Sequence, residues 1–455
     1  MIGKIEKTPQ LNLFEAPLTT FINMQHELVI LCEKFNWDEI EKDFEKYFSE
    51  IGRPSVPIRK MVGLLLLKQV YDESDESVVA RWIENPYWQY FCGEVNFQKE
   101  GPFDPSEFVH FRKRIGEEGA EKLLQLSIQL YGDEVDVKEV LADTTVQEKN
   151  ITYPTDTKLH KKIIDKCIKI AGKEKIQLRQ SYKRTVKELM LLVGYRNNPR
   201  RKKKANAAAR KIKTIAGRLV RELSRELTEV QLGFYEKQLS IFNKILNQTK
   251  TSKNKIYSIH EPDVKCIAKG KEHKPYEFGN KSSIVKTKNG IIVGAMAFKE
   301  NLYDGDTLPS QLDQTERLTG KRPQVGIVDR GYRGRKQVGG TQIIIPAPVG
   351  GQYQRAKQRK RFRARAGIEP IIGHLKHDHR MIRNYLKGTM GDAVNTIIAA
   401  AAFNIRKYLN RIKSSVEKNF FLFLQRYFSV FGVLILSEHK TFITKFNAFP
   451  KKTLF

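Results

Sequence analysis

Cysteine is scarce and dispersed: Cys32, Cys92, Cys167 and Cys266 are the four in 455 residues, and no two share a CxxC spacing. Neither a zinc knuckle nor a disulfide framework is suggested, and a reducing cytoplasm is the expected setting. Long apolar runs are lacking too. Within residues 420–436, FFLFLQRYFSVFGVLIL, Gln425 and Arg426 divide the one candidate span, so the segment reads as a buried or partner-facing helix and no membrane is expected. The opening MIGKIEKTPQLNLFEAP has no apolar core before a small-residue cleavage site and does not read as a signal peptide. Acid is the other shortage: 51 Asp plus Glu face 81 Lys plus Arg, a formal net charge of +30. Such a field gathers polyanions, so nucleic acid is the expected partner. Residues 158–215 hold 20 Lys plus Arg and 3 acids, which places +17 of the +30 in one segment. An evenly basic, solvated surface does not produce that concentration.

The length suggests about two to four structural units. Residues 21–130 read as short amphipathic helices. Ile58, Met61, Val62, Leu65 and Leu66 repeat helically behind Pro57, and a second helix starts at Ser74 or Asp75, buries Val78, Val79, Trp82 and Ile83, and stops at Asn85-Pro86. DPSEFVHFRKRIG begins another, with Phe108, Phe111 and Ile115 inward and Arg112, Lys113 and Arg114 on the flank. Several short helices ending in a basic one suit a helix-turn-helix DNA reader and, on pattern alone, a plain helical bundle equally. DVKEVLADTTV then alternates like a strand that ends at Asp143. Helical patterns over 174–193 and 207–247 follow, interrupted by YRNNPRRKKK, whose Arg200, Arg201, Lys202, Lys203 and Lys204 repel one another unless a polyanion is present.

Strand character returns in 276–287 and 290–298, joined at Lys288-Asn289-Gly290 in the manner of a hairpin. Further on come a helix over 306–319, a short strand QVGIVD ending at Asp329, a strand TQIIIPAP, and an Ala-rich helix over 392–409 with Asp392 as its N-cap. Between the last two lies RFRARAGIEPIIGHLKHDHRMIRN, residues 361–384, with Glu369 in a strongly cationic setting. At about 100° per residue, Phe362, Arg365, Glu369 and Lys376 share a stripe roughly 60° wide. Pro370 disfavours one regular helix through the stretch, so a break or a helix start is expected near Ile368 to Pro370.

The spacing resembles the Y-(2)-R-(3)-E-(6)-K signature of insertion-sequence transposases with a DDE triad, in particular insertion sequence family five, with Phe362 standing where that signature has Tyr. LADTTV, KPYEFGNK, VDRGYRG and AGIEPIIGHLKHDHRM occur in the family's order, and the likeness extends over roughly residues 20–410. The resemblance implies an α/β fold: a ribonuclease H-like mixed-sheet core over 131–410, interrupted by a basic helical insertion at 160–250, behind an N-terminal helical DNA-binding domain at 1–130. A hydrophobic tail, 411–455, completes the chain.

It also implies Asp143, Asp329 and Glu369 as catalytic and metal-binding residues, with Mg²⁺ or Mn²⁺, two per site, because paired hard cations stabilise both the attacking and leaving oxygens of a phosphodiester. Arg365 and Lys376 are expected to hold phosphates, as are Arg330 and Arg333 beside Gly331 and Gly334 and the five cations of 200–204. The implied substrate is double-stranded DNA, as terminal inverted repeats and target, and pairing two ends implies a homodimer. The rivals are a non-catalytic nucleic-acid-binding protein derived from a transposase and a structure-specific nuclease without strand transfer. His374, His377 and His379 suit phosphate contact or core hydrogen bonding better than zinc, and Asp156, Glu261 and Asp263 are spare acids.

Overall fold

A computed structural model describes residues 3, 16–249, 251–268, 272, 274–345, 361 and 363–430, the last fourteen of these by backbone only. The chain divides into two compact units: Met1–Leu65, Asp75–Pro105 and Asn404–Phe455 form one, and Leu66–Ser74 with Ser106–Phe403 form the other.

The first unit is helical. It carries α1 (Glu27–Lys34), α2 (Trp37–Glu45), most of α3 (Ile58–Val70), α4 (Asp75–Glu84) and α5 (Pro86–Phe91). Asn85 both ends α4 and starts α5, its Oδ1 accepting from the amides of Tyr87 and Trp88 at 3.0 and 3.2 Å, with Pro86 in the first turn, where no amide is needed. Phe35, Trp37 and Phe91 meet edge to face in the core, and the Arg59 guanidinium lies 4.8 Å from the Trp37 ring.

The main segment of the second unit begins with α6 (Glu107–Gln129), bent at Gly116, whose φ is 58°. Phe108, Phe111 and Ile115 face inward as the periodicity requires; Arg112, expected on the flank, is buried, its guanidinium 5.8 Å from the Phe108 ring. A long guanidinium stem packs as an apolar group, which a simple polar count misses. Among the described residues seven strands follow: β1 (Glu139–Glu148), β2 (Lys265–Ala268), β3 (Tyr276–Thr287), β4 (Ile292–Phe298), β5 (Val325–Ile327), β6 (Gln337–Val338) and β7 (Thr341–Ile344). One sheet contains them in the order β2-β3-β1-β5-β7-β6, with β4 also on β3. Strands β4, β3 and β1 are antiparallel neighbours, while β1, β5 and β7 run parallel. This is the mixed sheet of a ribonuclease H-like core. The turn between β3 and β4 is closed at Gly290, φ 76°, where a side chain is strained.

Between β1 and β2 lie α7 (Asp156–Lys173), α8 (Lys183–Gly194), α9 (Lys202–Glu226) and α10 (Glu229–Asn247). They form a bundle with its own core, in which Ile163, Ile212, Leu219, Leu223, Phe242 and Ile245 are fully buried. Thr228 and Gln231 cap α10 reciprocally, a capping box. The expected break at YRNNPRRKKK is shorter than its composition suggests. Lys202, Lys203 and Lys204 form the first turn of α9, without an acid there.

After β4 comes α11 (Asp304–Thr319); β7 leads to a helical turn at 363–366, then α12 (Ile368–His377) and α13 (Gly388–Val430). The end of the TQIIIPAP run, Phe362 and residues 431–455 lie outside the described residues. Two sequence expectations are corrected. Strand β1 does not end at Asp143 but continues to Glu148, because β3 pairs with it as far as Gly279. Asp392 is not an N-cap: the helix starts at Gly388, and Asp392 is buried inside it against Lys149.

Candidate active site

Strand β5 pairs with β1 in parallel through Glu139↔Val325, Val140↔Gly326 and Leu141↔Ile327. Two residues further along both strands, the same register sets Asp143 beside Asp329. There the parallel ladder stops while β1 remains paired with β3, Asp143 opposite Ile284. The chain turns at Asp329, whose Oδ1 accepts the Gly331 amide at 2.8 Å and caps a short 3-10 turn, Arg330–Tyr332. A Cβ on Gly331 would lie 2.8 Å from Asp329 Oδ1 and 2.9 Å from Asp304 Oδ2, so glycine is required for this approach of carboxylates. Arg330 and Arg333 are exposed on either side of the turn.

Asp143 is mostly buried, and burial, then the charges of Asp329 and Asp304, push its carboxyl up to about 6 against the pull of the Thr144 amide and Arg365. Its Oδ1 accepts that amide at 2.8 Å. Glu369 arrives from α12. Gly367 interrupts the helical turn at 363–366 from α12, and Pro370 falls in the first turn of α12, where its missing amide costs nothing. The expected break near Ile368 is therefore present, and Arg365 lies before it. From there Arg365 Nη2 reaches Glu369 Oε1 at 3.5 Å and Asp329 Oδ2 at 4.0 Å. Glu369 is 67% exposed, Asp329 32%. Lys376, half-buried, is seven residues beyond Glu369 on the same side of α12, a rise of about 10 Å.

The aspartates thus stand together, and Glu369 joins them through Arg365. Among the described residues no three acidic, His or Cys side chains are close enough to hold one ion as they stand. The donor chemistry nonetheless fits a hard divalent cation: every donor is a carboxylate oxygen, and the repulsion that raises Asp143 is the kind a bound cation relieves. The three histidines do not cluster. His379 Nδ1 bonds to the Gln69 carbonyl at 3.1 Å in the core, and His374 Nδ1 to Asp378 at 2.6 Å. Of the spare acids, Glu261 is buried against Lys149 and Asp156 opens α7. Sequence reading missed Thr144, Lys281, Asp304 and Tyr332, all within this neighbourhood. Only the acid and tyrosine of ENLYDGD and VDRGYRG, each just after a core strand, offered a signal.

Sheet order and the parallel register of β5 on β1 are those of a ribonuclease H-like core. Comparison with known proteins agrees. Residues 17–114 match the family model "Transposase domain (DUF772)", and residues 248–405 match "Transposase DDE domain", a span that contains Asp329 and Glu369 and begins after Asp143. An "Uncharacterized protein ORF8 in nfe locus" from Rhizobium meliloti is 42% identical over 181 residues, 39% of this chain and 87% of that protein. No solved structure matches. The chain belongs to the DDE transposases. DNA binding follows from that membership, and no described helix is long and apolar enough to cross a membrane.

Proposed function

We propose that the chain cuts DNA at the terminal inverted repeats of an insertion sequence and joins the freed ends to target DNA, acting as a dimer that pairs two ends. The observation that carries this is the placement of Asp143 and Asp329 side by side where the β1–β5 ladder ends, with Arg365 linking them to Glu369. Asp143, Asp329 and Glu369 would hold divalent metal, Mg²⁺ or Mn²⁺ and two ions by the chemistry of the step. Bound there, the metal supplies charge stabilisation for the attacking and leaving oxygens. The chain's own residues do the rest. Arg365 orients two of the three carboxylates, and Arg330 and Arg333 offer donors to phosphates entering beside them. The test is cleavage of a labelled terminal-repeat duplex in Mg²⁺, with strand transfer read from joined products. No cleavage by wild type on its own element's ends, under conditions where it binds them, sinks the proposal.

Lys376 is assigned to phosphate positioning, since it shares a face of α12 with Glu369. Lys376→Ala is expected to slow cleavage about 10-fold or more while changing metal affinity little, a charge-assisted phosphate contact contributing roughly 1.5–3 kcal/mol. Equal losses in both would assign Lys376 to the fold or to the metal site.

The helical insertion clamps the DNA backbone. Its cations at 200–204 are all exposed, and three of them occupy the first turn of α9, where the helix dipole already places positive charge. An arrangement this unfavourable is relieved by an anion at the same place, as phosphate is at helix N-termini. Changing Arg200, Arg201, Lys202, Lys203 and Lys204 to Ser is expected to flatten the slope of log K against log salt. The slope changes by about 0.9 per phosphate contact, so losing four contacts flattens it by roughly 3 to 4. Specific and random duplexes should weaken alike, because phosphates carry no sequence. An unchanged slope removes these residues from the DNA interface, and a loss confined to the specific site assigns them to base reading.

A further inference from the structure

The end of α8 is apolar on the side that faces water. Val186, Leu189 and Val193 pack into the core of the helical insertion, so the opposite side of the helix belongs to solvent. At about 100° per residue, Leu191, Leu192 and Tyr195 fall within a sector roughly 100° wide on that opposite side. They are 66%, 42% and 46% exposed. Single surface leucines are ordinary, but three large apolar side chains together on one solvent-facing turn form a patch of the kind that marks an interaction site.

The surroundings of the patch identify what covers it. Residues 183–204 contain nine Lys plus Arg and one acid, Glu188, which Arg184 meets at 3.5 Å. Arg184 and Lys187 lie on the same face of α8 as Leu191, two turns and one turn before it, and Arg196 and the five cations of 200–204 come after it, all of them exposed. An apolar centre ringed by cations is complementary to a ligand with an anionic rim and an apolar interior. Duplex DNA has both, its phosphates flanking a stack of bases. An anionic membrane surface has both as well, but DNA binding already follows from the family to which the chain belongs. The patch is also held stiffly. A 3-10 turn, Tyr195–Asn197, follows α8 directly, the Asn198 amide donates to the Tyr195 carbonyl at 3.0 Å, and Asn198 Oδ1 accepts the Arg200 amide at 3.0 Å. The Arg201 guanidinium lies 4.5 Å from the Tyr195 ring. Little further ordering is then needed on binding.

We propose that Leu191, Leu192 and Tyr195 form a wedge that inserts between base pairs of bound DNA and bends it, while the surrounding cations hold the phosphates on either side. This rests on the reading of the insertion as a DNA clamp and deepens it, because a clamp alone grips phosphates and leaves the duplex straight. Opening a base step is offset by removing three apolar side chains from water and by the extra phosphates that a bend brings to the cations.

The test is energy transfer between dyes at the ends of a terminal-repeat duplex of about 30 base pairs, with saturating full-length protein in EDTA, alongside a salt titration of affinity. Wild type is expected to bend the duplex by about 20–90°, as apolar side chains between base steps do. Changing Leu191, Leu192 and Tyr195 together to Ser is expected to remove most of the bend and to weaken binding about 10-fold. The slope of log K against log salt should stay as in wild type, since no phosphate contact is lost. Leu191→Lys is a second probe, used alone if the melting temperature shows that the triple variant does not fold. A wedge interrupted by a charge loses its bend, whereas a patch that only approaches phosphates gains affinity from the added cation and keeps whatever shape the DNA had. A straight duplex under saturating wild type, a bend kept in the triple variant or in Leu191→Lys, or a flattened salt slope in the triple variant overturns the proposal. So does binding to phosphatidylglycerol vesicles that the triple variant loses while it still bends DNA, which assigns the patch to a membrane surface. If changing 200–204 to Ser leaves the salt slope unaltered while the bend still depends on Leu191, Leu192 and Tyr195, the clamp reading falls and the wedge stands.

Discussion

Asp143→Asn is expected to abolish cleavage of terminal-repeat DNA, by a thousandfold or more, while the protein still binds that DNA and becomes more stable without metal. On the proposed function, the loss follows from removing a charge that would help hold a divalent ion at the transferring phosphate, an effect of several kcal/mol, and about 4 kcal/mol is on the order of a thousandfold in rate. The gain follows from the crowding that raises the Asp143 carboxyl to about 6, burial first and the neighbouring Asp329 and Asp304 charges next. In the unfolded chain that carboxyl titrates near 3.8. Between these values the folded state holds the proton more tightly, so the stability contributed by this group falls as pH rises from about 4 to about 6. Asparagine never acquires the charge and can still accept the Thr144 amide. At pH 7.5 without divalent metal, Asp143→Asn should therefore exceed wild type by about 1–3 kcal/mol, and the difference should vanish below about pH 4. Denaturation across this pH range measures it. A variant that cleaves at near-normal rate removes Asp143 from the site, and one that is inactive but less stable at pH 7.5 shows that the carboxylates are not in mutual repulsion.

Much of the local structure around the candidate site was legible because its parts are local. Glu369, Pro370 and the apolar positions of α12 are fixed by helical spacing, and the break before Ile368 is proline chemistry read directly from the chain. Hairpin β3–β4 announced itself through Asn289-Gly290. What escaped depends on distance in sequence. Asp304 meets Thr144 across 160 residues, and nothing in YDGD distinguishes an ordinary acidic helix start from a carboxylate aimed at another. The end of β1 was misjudged for a related reason: alternation sees one strand at a time, while the length of β1 is set by β3, its partner from the far side of the insertion. Asp392 shows the same limit in reverse. Its local context is that of a good N-cap, but tertiary contacts recruited it for a buried charge.

That buried charge is the origin of a second large effect: Lys149→Met is expected to destabilise the fold by about 3–5 kcal/mol, the cost of breaking a buried ion pair from one side. Lys149, one residue past β1, is 2% exposed at its side chain and pairs with Asp392 at 2.8 Å and Glu261 at 3.5 Å. Its ammonium also donates to the carbonyls of Leu386 and Gly388 at 2.8 and 3.0 Å, joining the end of β1 to the start of α13. Asp392 takes further hydrogen bonds from Asn384, at 2.7 Å, and from Asn280. Even so, burial raises its carboxyl to about 6 against the pull of Lys149, while Glu261 adds to the rise. Methionine fills the space of the lysine stem and supplies no charge, leaving two carboxylates facing each other in the core. The Asp392 carboxyl then rises further. A folded-state value above the unfolded one means stability is lost as pH climbs through that window, and without Lys149 the window extends above pH 6. The deficit of Lys149→Met relative to wild type should therefore be small near pH 5 and full near pH 8. Chemical denaturation at the two values distinguishes this from a simple packing defect, which would cost the same at both.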